Sequence, residues 1–324
     1  MEIMCPLCGS KRHSIDGTNK HYMVLKCTEC DLIFSVPMVS NIDYSSEKTH
    51  SRSELNIVEQ LVRDILGSKK QKVKILEIGC GDLRHLIKLK LKFKNNIELY
   101  GYDLHLSEYT ELKAKQYNIK LLSDLKQISY CFDIVYLFHV LEHVEDPLNF
   151  IDRLRNFICQ NGFLVLSVPN PKRITRFLFP EEWDKPGYHL TRWNKKSLMY
   201  LALYSDLEIL RISCTNFNIL DFYILPINIK EVFNKVIIIL NRILTKIIKV
   251  KLKIVDNSKK VKQAYEDIRF INIKEYTKIT IEKFIIEPIS IGFALLIFPV
   301  FVLLGKGKGL SLILVCKKRE NKGV

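Results

Sequence analysis

Four cysteines near the amino terminus have the spacing of a metal site. Residues 9–26 separate two Cys-x-x-Cys pairs, Cys5 with Cys8 and Cys27 with Cys30. Each such turn directs two thiolates to one point, and four thiolates are typical of a structural zinc site. We expect Zn²⁺ to supply much of the folding energy of a zinc ribbon over residues 1–45, because so short a segment buries little surface. A redox dithiol is the alternative.

Two histidines could remove a proton from a hydroxyl group near neutral pH. His143 directly follows Glu142, and His189 lies in a segment rich in Trp, Pro and Gly at residues 183–193, which we expect to cover the substrate. Glu142 could orient either imidazole. His143, His189 and Glu142 are therefore the catalytic candidates, and a helix cap is the structural alternative for His143.

Glu142, His143 and His189 lie in a region whose sequence predicts an α/β sheet. An apolar run at residues 73–79 leads into a turn with Gly79 and Gly81, and a helix is predicted at 83–92. Strand and helix patterns then alternate, which is typical of a doubly wound sheet with its ligand at the carboxyl ends of the strands. Asp103 ends the second strand, where a carboxylate can bind a ribose diol. The next predicted strands are 118–122, 132–138 and 162–168.

The order of motifs resembles the class I S-adenosylmethionine-dependent methyltransferases. The matching stretches are "LEIGCG", "YGYD", "FDIVYLFHVLEHVEDP" and "LRNFICQNGFLVLSVPNP", and the resemblance covers residues 57–217 and 310–317. It implies a seven-stranded Rossmann-like methyltransferase sheet. The stretches "CPLCGS" and "CTECDLIFSVP" resemble the zinc ribbon of those members that act on sugars and natural products. One departure is Leu83, which stands where the family motif usually has a third glycine.

The resemblance also implies a site for S-adenosylmethionine. The residues that it assigns to this cofactor are Glu77, Gly79 and Gly81 at the methionine end, Asp103 at the ribose, Asp124 and Leu125 at the adenine, and His139 close by. The implied domains are the ribbon at 1–45, a core at 46–217 that residues 310–317 complete, and an insertion at 218–309.

The insertion separates predicted strands six and seven, at 207–214 and 310–316, which normally form a hairpin in this fold. Residues 230–283 contain 14 Lys and Arg against 6 Asp and Glu, or +8 of the chain's net charge of +15. A basic amphipathic helix is predicted there, with Ile and Leu on its other side, and it favours an anionic membrane surface. A helix packed on the core is the alternative. The basic face comprises Lys235, Arg242, Lys246, Lys249 and Lys253.

A second apolar segment lies at residues 288–305, which are 18 residues without a charge. This is short for a bilayer span, which takes about 20 apolar residues. We expect a re-entrant, interfacial or buried helix pair, because a single crossing would separate strand seven from its sheet.

The remaining cysteines and the amino terminus bear on the compartment. Nine cysteines in 324 residues are too few and too uneven for a disulfide framework, and the first residues lack the pattern of a secretory signal. The expected location is the cytoplasm, with peripheral binding to the inner face of the cell membrane as an option. Five cysteines are expected to be small apolar residues without partners: Cys80, Cys131, Cys159, Cys214 and Cys316.

The function that fits these patterns is O-methylation of a sugar, a glycan or a lipid-linked small molecule near the membrane. An RNA methyltransferase is the alternative, but the basic helix lacks aromatic residues for stacking on bases, which makes nucleic acid a weaker partner. A non-enzymatic, membrane-associated protein that binds S-adenosylmethionine is the second alternative. The sequence does not indicate the oligomeric state.

Replacing Arg242, Lys246, Lys249 and Lys253 together by Glu should release the protein from anionic vesicles, because each basic residue near the surface contributes about 1 kcal/mol. Cofactor affinity should not change, since the cofactor residues lie on the predicted sheet. Vesicle co-sedimentation at low salt measures the effect. A parent protein that stays in the supernatant would contradict the membrane interpretation.

Overall fold

The computed structural model describes residues 2–18, 20–39, 54–68, 71–125, 128–173, 176, 184–216 and 309–319. The chain divides into two units: Met1–Asn216 with Lys306–Val324, and Phe217–Gly305. The predicted basic helix and the apolar run at 288–305 lie outside the described residues.

The regular elements of the described part alternate between strands and helices. The strands are β1 (His13–Thr18), β2 (Met23–Cys27), β3 (Ile33–Val36), β4 (Val73–Ile78), β5 (Ile97–Tyr102), β6 (Lys120–Leu122), β7 (Phe132–Phe138), β8 (Ile158–Pro169), β9 (Thr191–Arg192), β10 (Leu207–Cys214) and β11 (Ser311–Lys318). The α-helices are α1 (Leu55–Ser68), α2 (Arg84–Phe93), α3 (Glu108–Tyr117), α4 (Pro147–Asn156) and α5 (Lys195–Tyr204). Short 3₁₀ helices lie at Lys94–Asn96 and Leu141–His143.

Seven strands form the core sheet in the order β10-β11-β8-β7-β4-β5-β6. The five strands from β8 to β6 are parallel, whereas β11 is antiparallel to β8 and to β10. The predicted doubly wound, seven-stranded sheet is therefore confirmed. The fifth parallel strand begins earlier than predicted, at Ile158, because α4 already ends at Asn156.

The sheet is buried on both faces, as its continuous apolar strands predict. All seven residues of β7 are buried. Helices α1 and α2 contribute Val58, Val62, Leu86 and Leu89 to the apolar cluster on one face. On the other face, α4 and α5 pack in a cluster that also contains the ribbon residues. The ribbon therefore shares its apolar core with the sheet.

A second sheet joins the ribbon to the core, in the order β1-β2-β3-β9. Strand β9 comes from the segment after β8, and it pairs with β3 through Phe34 opposite Thr191. Beside this pair, the Ser35 N–H donates to the carbonyl of Leu190 at 2.8 Å. The sequence predicted a substrate-covering loop at 183–193, and part of that segment is instead a strand of the ribbon sheet.

Two cysteines expected to have no partner form a disulfide bond. Cys131 and Cys159 are joined across a sequence separation of 28 residues, with their Cα atoms 4.9 Å apart. The expectation was wrong for this pair, because the parallel pairing of β7 and β8 brings the beginnings of both strands together. No local pattern indicates this contact. Cys80, Cys214 and Cys316 are free, and Cys80 and Cys316 are buried.

Among the described residues, no helix combines the length and the apolar character that a bilayer span needs.

Candidate functional site

A cleft of about 1010 Å³ opens at the carboxyl ends of β4, β5 and β7. Its volume is at the upper end of the range of small-molecule sites, about 300–1,000 Å³. Most of the residues that the sequence assigned to a ligand line this cleft: Gly79, Gly81, Asp103, Asp124, Leu125, His139 and His143. Glu77, Glu142 and His189 do not line it.

The turn after β4 forms one wall of the cleft. Gly79 and Gly81 have φ angles of +75° and +46°, a region that favours glycine. A Cβ atom on Gly79 would lie 2.5 Å from the Val140 side chain, so the turn packs closely on the loop after β7. Leu83, which replaces the family's third glycine, also has a positive φ of +64° and is fully buried.

Asp103, directly after β5, ties that strand to the glycine turn. Its Oδ2 accepts the Gly81 N–H at 2.8 Å, and its Oδ1 accepts the His105 N–H at 3.0 Å. A carboxylate can accept about four hydrogen bonds, so both oxygens keep capacity for a ligand hydroxyl. The carboxylate is half-buried at the edge of the cleft, as a ribose-binding residue would be.

Glu77 is on β4 but only 2% exposed, and its carboxylate lies below the cleft. Its Oε1 is 2.8 Å from Nδ1 of His85 on α2. Burial raises the pKa of Glu77, although the hydrogen bond with His85 opposes this shift. In this structure Glu77 anchors α2 to β4 and does not line the cleft.

The three catalytic candidates lie together although residues 144–188 separate His143 from His189. The His143 and His189 rings are 4.9 Å apart in an edge-to-face arrangement. One potential ligand atom from each of Glu142, His143 and His189 lies within 4.8 Å of the other two. The 3₁₀ turn after β7 positions Glu142 and His143, and the segment before β9 positions His189.

Hydrogen bonds fix the orientation of both imidazoles. Nδ1 of His143 lies 2.8 Å from the carbonyl oxygen of Tyr188, and a carbonyl can only accept. Nδ1 of His143 therefore donates to this carbonyl. Nδ1 of His189 lies 2.9 Å from the Asp184 carboxylate, so it is a donor as well.

His139 lies between two buried carboxylates. Its Nδ1 is 3.3 Å from Glu142, and its Nε2 is 3.6 Å from Glu54 and 3.0 Å from the Ser311 hydroxyl. Burial lowers the pKa of His139, but the nearby Glu142 and Glu54 carboxylates outweigh burial and raise it to about 10. His139 is thus an imidazolium at neutral pH and cannot act there as a base.

Glu142 is the anion that pairs with His139. Burial raises its pKa, but the hydrogen bond from His139 and the nearby His143 and His189 outweigh burial and lower the pKa to about 2. Glu142 is only 1% exposed, and within the described part of the chain its Oε2 has no hydrogen-bond partner. The site therefore holds a buried negative charge beside two histidines.

Asp184, which the sequence analysis did not single out, holds the segment of His189. It is 8% exposed and accepts from Arg173 Nη2 at 2.6 Å, in addition to His189, and it lies 3.3 Å from Arg192 Nε. Burial raises the pKa of Asp184, but its bonds to His189 and the two arginines outweigh this and lower it. No sequence pattern near Asp184 predicts its contacts with the two arginines, because Arg173 precedes it by 11 residues and Arg192 follows it by 8.

Backbone hydrogen bonds connect this cluster to the ribbon. The Leu190 N–H donates to the carbonyl of Glu142 at 2.9 Å, and the Leu190 carbonyl accepts the Ser35 N–H at 2.8 Å. The Asn194 side chain also donates to the Asp31 carbonyl at 3.0 Å. The chain directly after His189 is therefore held between Glu142 and the ribbon.

The four ribbon cysteines converge as predicted. The Sγ atoms are 3.6 Å apart for Cys5 and Cys30 and 3.5 Å apart for Cys8 and Cys27. Zn–S bonds of about 2.3 Å give a tetrahedron with edges of about 3.8 Å, so this spacing fits a zinc ion. Three of the four cysteines are buried.

Comparisons with known proteins identify the core. A family model described as "Methyltransferase domain" matches residues 49–211. No curated protein matches the sequence. Similar solved structures include coclaurine N-methyltransferase bound to N-methylheliamine and S-adenosylhomocysteine, with 13% identity, TM-score 0.42 and coverage of 84% of this chain and 74% of that one.

Two further solved structures of methyltransferases are similar to this chain. The magnesium protoporphyrin IX methyltransferase of Synechocystis PCC 6803 has 17% identity and TM-score 0.38, with coverage of 53% of this chain and 84% of that one. Phospholethanolamine N-methyltransferase 2 of Haemonchus contortus has 13% identity and TM-score 0.44, with coverage of 82% and 52%.

Replacing Asp184 by Ala should lower the free energy of unfolding by about 3–5 kcal/mol, because the buried Arg173 would lose its carboxylate partner. Denaturant unfolding at neutral pH measures this difference. The matched control is Glu2→Ala, which breaks an exposed ion pair with Lys11 and should cost less than about 1 kcal/mol. Equal effects of the two substitutions would contradict the role of Asp184.

Proposed function

The chain belongs to the methyltransferase-domain family, and on this premise we propose that it methylates a hydroxyl group of a sugar, a glycan or a lipid-linked small molecule. The family makes it an S-adenosylmethionine-dependent methyltransferase, and the acceptor class is the proposal. The main support for this proposal is the cleft, because Asp103, the glycine turn and His143 all line it. RNA remains the alternative acceptor, and binding to a membrane surface remains a prediction from the sequence.

The cleft wall fits S-adenosylmethionine, which supplies an electrophilic methyl group on its sulfonium. We propose that Asp103 binds the ribose hydroxyls, and that the backbone of Gly79 and Gly81 adjoins the methionine part, since neither residue has a Cβ to exclude it. Asp124 and Leu125, which follow β6, would hold the adenine. The role of Glu77 would be indirect, through its hydrogen bond with His85.

His139 would lie close to the cofactor. It lines the cleft, but its ring nitrogens already contact protein groups: Nδ1 contacts Glu142, and Nε2 contacts Ser311 and Glu54. Its contact with the cofactor would therefore be through the ring and not through an N–H.

For the acceptor, the proposed chemistry uses the Nε2 lone pair of His143. This histidine lines the cleft, and Tyr188 holds its ring through Nδ1. In the metal-free chain, Nε2 would take the proton of the hydroxyl as methyl transfer proceeds, and the Glu142 carboxylate would stabilise the imidazolium that forms. His189 does not line the cleft, and its contact with the His143 ring makes it a positioning residue.

We also propose that Cys5, Cys8, Cys27 and Cys30 bind a structural zinc ion. The support is the spacing of the four sulfur atoms, which lie within 4.8 Å of one another. With four thiolates the ion would have no open position, so it would not take part in methyl transfer. Its effect on the site would be through β3, which pairs with β9.

Replacing Asp103 by Ala should weaken S-adenosylmethionine binding by about 1.5–3 kcal/mol, the scale of hydrogen bonds to a charged group. Isothermal titration calorimetry measures the affinity, and Asp103→Asn, which keeps the shape and one oxygen, should lose less. The control is Asp64→Ala on the exposed side of α1, which should bind as the parent does. Unchanged affinity in Asp103→Ala would remove Asp103 from the site.

Cys8→Ser and Cys27→Ser should each remove one tightly bound zinc ion per chain, because three thiolates bind Zn²⁺ more weakly than four. Elemental analysis after purification without chelator gives the metal content. The matched control is Cys214→Ser on β10, which should keep its zinc. A parent protein without zinc would refute the ribbon site.

A further inference from the structure

We propose that Glu142, His143 and His189 together bind a divalent transition-metal ion at the acceptor end of the cleft. This inference rests on the proposed function, because it assigns the ion to the activation of the acceptor oxygen. The site is separate from the ribbon cysteines and differs from them in its donor atoms. Its three potential ligand atoms lie within 4.8 Å of one another, close enough for one ion to draw them together at bond lengths of about 2.0–2.2 Å.

The donor set is the first support. Two imidazoles and one carboxylate bind Zn²⁺ in hydrolytic enzymes and Fe²⁺ in oxygenases, and these sites keep open positions for a substrate or water. Mn²⁺ also accepts imidazole and carboxylate ligands. The ribbon has four sulfur donors instead and should select Zn²⁺.

The second support comes from the partners of the two histidines. Metal-binding histidines almost always donate their other ring N–H to a carboxylate or a backbone carbonyl. Here Nδ1 of His189 donates to Asp184, and Nδ1 of His143 donates to the Tyr188 carbonyl. Both rings therefore direct their metal-binding nitrogen, Nε2, away from these partners. Asp184 is itself fixed by Arg173 and Arg192.

The third support is an unsatisfied oxygen. Glu142 is 1% exposed, and no group among the described residues hydrogen-bonds to its Oε2, whereas its Oε1 contacts His139. A buried carboxylate oxygen without a partner is costly. A cation beside the two histidines would satisfy this oxygen.

The position of the ion follows from burial. His143 lines the cleft, whereas the buried Glu142 and His189 do not, so the open coordination position would face the cleft on the side of His143. An acceptor hydroxyl bound there would have a lowered pKa and would lose its proton to water. Its oxygen would then form the new bond to the methyl carbon as the carbon–sulfur bond breaks. With the ion bound, His143 would be a metal ligand, and water rather than His143 would take the proton.

The test uses full-length protein with its zinc retained, titrated with Mn²⁺ and followed by the electron paramagnetic resonance signal of free Mn²⁺. One Mn²⁺ should bind per chain. His143→Gln, His189→Gln and Glu142→Gln should each raise the Kd for Mn²⁺ by about ten-fold or more, and Asp184→Asn by about 10–100-fold. The control is His105→Gln, an exposed histidine of the same cleft outside the cluster, which should bind Mn²⁺ as the parent does.

Far-UV circular dichroism on the same samples reports whether each variant is folded, and S-adenosylmethionine affinity is measured beside it. His143 is the least buried of the three, so His143→Gln keeps the test valid if a buried variant unfolds. A parent that binds S-adenosylmethionine but neither Mn²⁺ nor a second Zn²⁺ would overturn the inference and leave His143 as a metal-free base. Mn²⁺ binding that survives all three substitutions would overturn it too. Failure to bind S-adenosylmethionine would instead contradict the proposed function.

Discussion

The pairing of β3 with β9 is the constraint on which the arrangement of the site depends. Through it, the Leu190 carbonyl is fixed by Ser35 on one side, and the Leu190 N–H is fixed by Glu142 on the other. His189 directly precedes this residue, and Tyr188 orients His143. His143 and His189 are far apart in the sequence. They meet because strand β9 of the ribbon sheet fixes the chain next to His189. The ribbon thus serves as a structural part of the site.

Charge balance determines what the cluster can do. Glu142 and Asp184 are buried anions, and each is surrounded by histidine or arginine side chains that lower its pKa. Removing one partner from such a group leaves an uncompensated buried charge, so the cluster is stable only as a whole. The same networks orient His143 and His189 before any ligand arrives. Orientation in advance is what catalytic and metal-binding groups require.

Much of the core could be predicted from the sequence, because local patterns specify it. The run "LEIGCG" and the alternation of strands and helices predicted the sheet, and the bounds of β10 agree with the prediction. Strand β9, the Cys131–Cys159 bond and the Asp184 network escaped prediction. Each joins residues that lack a local pattern and that only the tertiary fold brings together. His189 could be predicted as a candidate from its residue type. Its contact with His143 could not be predicted, because no local pattern joins the two.

Hydrogen exchange at the Ser35 and Leu190 amides tests most directly whether the ribbon holds the site. These two N–H groups donate to Leu190 and Glu142, so both should be protected in zinc-loaded protein. Removing zinc with a chelator should expose both amides to exchange, while the amides of β7 and β8 stay protected within the core sheet. Protection of Ser35 and Leu190 that is unchanged after zinc removal would contradict the account.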